Sequence, residues 1–306
     1  HPDMWFGFCD KSYRESSIDP PEELVMKTMD WMWDFNSIPS TPAILISGDI
    51  ANDYLTFTRV IKWLSQKYEQ VYFTLGNHDL IVRGATLSKS NLQFHTSEQK
   101  IQKMQEYCAQ LPNVHLLEGN IVNGIGGTMM TTDLKCEARP GLDYDFKWKI
   151  DWFDGRHWKV KKKASEIWTD YEAKMNNIIA QNPKVIACHF APIEVGICFE
   201  FRNSPTNTFF FFNGSPFFNK ITQDTIWTCG HIHNRKICEF ENDAGKKIKI
   251  LCNPYGYPGE GDPYTDVSVV KDGKLESKQI KTSHSDFIID IKKKKNTFSF
   301  LNNKIY

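Results

Sequence analysis

The spacing of apolar residues changes repeatedly along the chain, and each change marks an element boundary. Leu24, Val25, Met29, Met32 and Phe35 recur at three- and four-residue intervals, the spacing of one helix face. Asp19-Pro20-Pro21-Glu22 precedes them as a helix start, with Asp as N-cap, Pro in the first turn and Glu three residues on. Ala43-Ile44-Leu45-Ile46 is too short for a helix and is cut off by Ser47-Gly48-Asp49, which predicts a buried strand. Residues 54–69 return to the helical period through Leu55, Val60, Ile61 and Leu64, and Val71-Tyr72-Phe73-Thr74-Leu75 is a second strand ended by Gly76-Asn77-His78-Asp79. Further on, the pattern predicts a helix over 97–111, strands over 114–117 and 127–132, a helix over 165–180 and a strand over 184–188. The last third reads as strands over 225–227, 236–240, 247–251 and 267–270.

Alternating helices and short buried strands predict an α/β protein, a sandwich with helices packed outside the sheets. No repeat or Gly/Ser/Pro-rich linker divides the chain, so residues 1–285 are expected to form one domain and 286–306, with its Lys292–Lys295 run, a tail. Residues 139–163 and 199–219 fit no element and are expected to be loop excursions over one edge.

Composition narrows the field. Among 306 residues, 41% are hydrophobic and 24% charged, which excludes a globally disordered chain. Lys plus Arg and Asp plus Glu both number 37, and the absence of a basic excess argues against a protein that wraps nucleic acid. No apolar run is long enough to span a membrane. The eight cysteines form no CxxC pair and read as buried small hydrophobes in a reducing, cytoplasmic setting. The sequence opens on His1 rather than Met, so a preceding segment is expected and a signal peptide stays open.

Candidate chemistry lies at the strand ends. Gly48-Asp49, Gly76-Asn77-His78-Asp79, His189 and Gly230-His231-Ile232-His233 each follow a predicted strand, where loops from one sheet edge can converge. Carboxylate, amide oxygen and imidazole form a mixed oxygen and nitrogen ligand set suited to transition metals. The glycines permit the tight, positive-φ turns such loops need.

In these motifs and their order the chain resembles the calcineurin-like metallophosphoesterases, including bacterial members that carry a closing segment like Asn253-Pro254-Tyr255-Gly256-Tyr257. The resemblance implies the metallophosphatase-type αββα sandwich, two mixed β-sheets flanked by helices. It also implies a dinuclear centre of two transition-metal ions (Mn, Fe or Zn, with Mn favoured), in which Asp49 bridges, Asn77, His189 and His231 complete one site, and His233 joins the other. His78 would serve the leaving oxygen as acid or charge stabiliser, with Asp79 orienting it. The family's first signature, Asp-x-His, does not precede Gly48; His1 is expected to be its histidine, with the aspartate two residues before it, the competing reading being a tag remnant or an ordinary first residue. The implied reaction is attack on a phosphate ester by a hydroxide bridging two cations about 3.5–4 Å apart. Implied partners are small-molecule or nucleotide-like phosphate esters; the lack of an apolar span speaks against a membrane, and the neutral charge against nucleic acid.

Other residues carry plainer readings. His95, His115, His157 and His284 are expected to be ordinary hydrogen-bonded histidines, and Asp53 a helix cap. Phe209 to Phe212, with Phe217, Phe218 and Arg202, read either as an aromatic lid, with Arg202 and Phe210 as substrate contacts, or as packed structure, the reading we favour. The same choice applies to Trp148, Trp152, Phe153 and Trp158, and Arg139, Lys147 and Arg156 are solvated charge by default. Two alternatives stand beside the enzyme: a non-catalytic binding or scaffold protein on the same fold, and a phosphodiesterase acting on nucleic acid. The neutral charge counts against the second.

Overall fold

The computed structural model describes residues 20–32, 41–82, 94–135, 140–193, 204, 206–233 and 236–252, and the backbone of 264–271 and 274–281. The first described element is α1 (Glu22–Met32), whose Leu24, Val25, Met29 and Met32 are buried as the periodicity predicts; Asp19 and Phe35 lie outside the described residues. Next come β1 (Ala43–Ser47), α2 (Tyr54–Lys67) and β2 (Gln70–Thr74). Asp53 caps α2, its carboxylate accepting the Thr56 N–H at 2.8 Å, as expected. A 3-10 turn over His78–Leu80 leads on to α3 (Ser97–Cys108), closed at its N-terminus by a Thr96/Gln99 capping box, and to β3 (Val114–Leu116).

Strands β1, β2 and β3 form an all-parallel three-stranded sheet in that order, so the smaller sheet is not the mixed one expected. The second sheet is mixed. It runs β4 (Asn120–Val122), β5 (Ile125–Gly127), β6 (Val185–Ala187), β7 (Thr225–Cys229), β9 (Lys247–Cys252) and β8 (Lys236–Glu241). Its central strands β5, β6, β7 and β9 are parallel, flanked by antiparallel edges β4 and β8. The last strands, β10 (Tyr264–Lys271) and β11 (Lys274–Lys281), form a hairpin of their own. Between the main sheets, Ser47 and Thr228 share a hydroxyl hydrogen bond of 2.9 Å, which ties the C-terminal ends of β1 and β7 together.

Two expectations need correction. The strand predicted over 127–132 ends at Gly127: Met130 takes a left-handed φ of 60°, and the Met129 carbonyl accepts the His189 N–H at 2.9 Å, so this stretch braces the end of β6. The segment 139–163, expected as a loop excursion, contains α4 (Tyr144–Ile150) and α5 (Phe153–His157) and sinks Trp148 and Trp158 into the main core. Its pattern escaped notice because each helix is only about two turns or less, too short for a period to show. Asp145 then accepts both the N–H and the hydroxyl of Ser165, fastening α4 to the start of α6 (Ala164–Ala180). The Phe-rich stretch is packed rather than overhanging, with Phe209, Phe211 and Phe212 buried beside α7 (Ser215–Phe218).

Candidate metal centre

Four strands deliver the candidate ligands at one edge. Asp49 follows β1, Asn77 follows β2, His189 follows β6 and His231 follows β7. Parallel strands from two sheets end side by side here, so their succeeding loops share one space. Asp49 and His231 both hold left-handed backbone, φ 58° and 64°, a conformation that costs about 1–3 kcal/mol and persists where neighbours over-determine it. Gly48 (φ 87°) and Gly76 are required for different reasons. A Cβ on Gly48 would stand 2.4 Å from His189 Nδ1, and one on Gly76 would stand 2.2 Å from Asp49 Oδ1, so the second glycine serves close approach rather than a positive φ.

The contacts centre on the Asn77 side chain. His189 Nε2 lies 2.8 Å from Asn77 Oδ1 and 3.4 Å from Asp49 Oδ1, while His231 Nδ1 lies 3.1 Å from Asn77 Oδ1. His189 Nδ1 donates to the Ser47 carbonyl at 2.7 Å, so the ring turns the Nε2 lone pair toward the cluster. Asn77 Nδ2 donates to Asp154 Oδ1 at 2.8 Å, which leaves its Oδ1 as the atom facing the imidazoles. Asp49 Oδ1 and Asn77 Oδ1, both acceptors, therefore converge on His189 Nε2. A cation satisfies that arrangement. Two ligand atoms each about 2.0–2.2 Å from a metal and at right angles stand roughly 3 Å apart, the spacing seen here. His231 Nε2 is buried with no hydrogen-bond partner, a further strain that an inward-facing lone pair on the same ring would accompany. Among the described residues no set of three or more His, Cys, Asp and Glu side chains stands at ion-binding spacing; the donor set that fits is completed by the amide oxygen.

Electrostatics follow from burial and these neighbours. Burial pushes the Asp49 carboxyl up, but the His189 and His78 imidazoles and the His78 N–H, 3.0 Å from Oδ1, hold it well below the usual carboxylate range. Burial pulls the His231 imidazole well below its ordinary value, and that of His78 down to about 4. His233, two residues past His231 and half-buried, acts on both rings through its charge. His1, Arg202 and Arg139 lie outside the described residues.

Asp79 does not take the place expected of it. Its buried carboxylate accepts the N–H groups of Gly76 (2.7 Å), Ala51 (2.9 Å) and Ile50 (3.2 Å), stapling the Asp49 loop to the Asn77 loop. The group bonded to His78 Nδ1 is Asn52 Oδ1 at 2.8 Å. Asn52 lies in the Asp49 loop, three residues on, whereas Asp154 and Trp158 lie 77 and 81 residues from the Asn77 they hold. Phe210 is half-buried, edge-on to Trp152 at 5.0 Å and 5.7 Å from the His231 ring. His115 and His157 are as plain as expected, bonding Gln70 and the Phe153 carbonyl, and His284 lies outside the described residues. Lys147 pairs with Asp151 at 3.1 Å.

Residues 26–235 match the family model of the calcineurin-like phosphoesterases. This chain belongs to that family, and it is a hydrolase acting on phosphate esters, a class whose members generally use two divalent metal ions. The fold is shared with the phosphopantetheinyl hydrolase of Mycobacterium tuberculosis, at a TM-score of 0.56 and 14% identity, over 72% of this chain and 82% of that one. No curated protein matches the sequence. Among the described residues no helix is long and apolar enough to cross a membrane.

Proposed function

We propose that this chain hydrolyses a small or nucleotide-like phosphate ester with two divalent ions, manganese being the first to test. The observation that carries the reading is the convergence of Asp49 Oδ1 and Asn77 Oδ1 on His189 Nε2, with His231 Nδ1 3.1 Å from Asn77 Oδ1, at the ends of four strands. Asp49, Asn77, His189 and His231 would hold one ion. Asp49, His233 and His1 would hold the other. Bound there, the ions supply a nucleophile drawn from water and positive charge opposite the phosphoryl oxygens.

The chain's own residues do the rest. The Ser47 carbonyl fixes the His189 tautomer, and its proton on Nδ1 keeps Nε2 as the ligand atom. Asp49 stays ionised because two imidazoles face it. We assign His78 to the leaving oxygen. Its Nδ1 is bonded to Asn52 Oδ1, so Nε2 is the ring atom that must first be protonated to serve the leaving oxygen, and the Phe153 ring stacked 5.7 Å away holds the imidazole plane. Phe210 and Arg202 are proposed as substrate contacts, Phe210 because its half-buried ring borders His231.

Asp49→Asn tests the assignment. The variant should lose the ligand shared by both ions, binding less manganese and losing turnover of an aryl phosphate. Hydrolysis at the wild-type rate by that variant would sink the two-ion reading.

A further inference from the structure

Resting on the reading of Asn77 as a metal ligand, we propose that Asp154 decides which end of the Asn77 amide faces the histidines, and that the α4–α5 segment thereby sets metal affinity. An amide has two chemically opposite ends of nearly one shape. Only the oxygen end can bind a cation, so something must fix the sense. Asp154 does so because both of its oxygens are taken up as acceptors: its Oδ1 takes the Asn77 Nδ2–H at 2.8 Å and its Oδ2 takes the Trp152 indole N–H at 3.2 Å. With Nδ2 spent on Asp154, Asn77 Oδ1 is left toward His189 and His231.

The rest of the segment holds this pair in place. Asp154 is 1% exposed, in the turn of a helix too short to stand alone. The Trp158 indole donates to the Asn77 carbonyl at 2.9 Å, so α5 grips the ligand by main chain and side chain. Phe153 stacks between His78 (5.7 Å) and His157 (4.1 Å), and Trp152 packs on Phe209 and Phe210, each at 5.0 Å. These rings are occupied by one another, which marks the segment as a brace for the centre.

An isosteric change makes the prediction sharp. In Asp154→Asn, the new amide oxygen can still accept from Trp152, while its NH2 donates to a reversed Asn77. Asn77 then turns its own NH2 to the His189 lone pair. Every hydrogen bond of the metal-free site survives, yet the oxygen no longer faces the metal. A partner that orients a ligand in this way is worth about 10–100-fold in metal affinity. Exchanging the pair, Asn77→Asp with Asp154→Asn, keeps the local charge and gives position 77 an oxygen at both ends, so no sense can be lost.

The test is manganese titration by calorimetry on the full chain, with thermal unfolding of the metal-free proteins alongside. Asp154→Asn should bind manganese about 10–100-fold more weakly while its metal-free midpoint stays at the wild-type value, and the exchanged pair should recover most of the loss. Wild-type affinity in Asp154→Asn would overturn the proposal, as would an exchanged pair no tighter than the single variant. Absence of binding by the wild type is a separate outcome: it overturns the metal-centre reading on which the proposal stands.

Discussion

Asp79→Asn separates a structural staple from an orienting group. The carboxylate is fully buried and accepts three backbone N–H groups, two on one oxygen (Gly76 and Ile50) and one on the other (Ala51). Asparagine can keep its oxygen toward Gly76 and Ile50, but its NH2 then presses against the Ala51 N–H. One buried donor loses its acceptor, at a cost of about 1–3 kcal/mol, and the surviving bonds lose their charge assistance, roughly another 1 kcal/mol. Burial and the charge of Asp49 push the Asp79 carboxyl up to about 7, so the comparison belongs above that pH, where the wild type is ionised. Urea unfolding of the metal-free proteins should show Asp79→Asn less stable by about 2–4 kcal/mol. Asn52→Ala, which removes the His78 partner instead, should cost only about 1 kcal/mol and act mainly on turnover. If Asp79→Asn proves as stable as wild type and loses only turnover, the carboxylate acts through His78 and the staple account is wrong.

Two further predictions address the packing around the centre. Gly48→Ala places a methyl 2.4 Å from His189 Nδ1 on backbone of φ 87°, and should destabilise the protein by about 2–4 kcal/mol in thermal unfolding, with manganese binding lost in parallel; a variant as stable as wild type would contradict the close packing. Burial pushes the thiols of Cys108 and Cys188 up to about 12, so brief alkylation near neutral pH should leave both unmodified in the native protein and modify both in denaturant, read by peptide mass spectrometry.

Much of the fold was legible in the sequence because buried strands and amphipathic helices write their periods into it. The strands preceding Asp49, Asn77, His189 and His231 all stand where the apolar runs predicted, and each is stopped by the motif that carries the candidate ligand. What the sequence hid is contact across distance. The Asp145–Ser165 bond, the Trp158 grip on Asn77 and the Asp154 carboxylate join residues far apart in the chain, and no local pattern announces them. Asp79 misled for a related reason. Adjacent to His78 in sequence, it is turned by the 3-10 turn toward the backbone of the Asp49 loop, and Asn52 from that loop takes the imidazole instead. The segment 139–163, expected as a loop excursion, holds helices too short for a readable period.

The central claim is that Asp49, Asn77, His189 and His231 form a metal centre that hydrolyses phosphate esters. Its most direct test is metal content per chain after loading with manganese and removal of the excess, paired with hydrolysis of an aryl phosphate monoester and an aryl phosphate diester. The account predicts about two ions per chain, with turnover abolished by a chelator and restored by manganese. A chain that retains no metal and hydrolyses neither ester would contradict it.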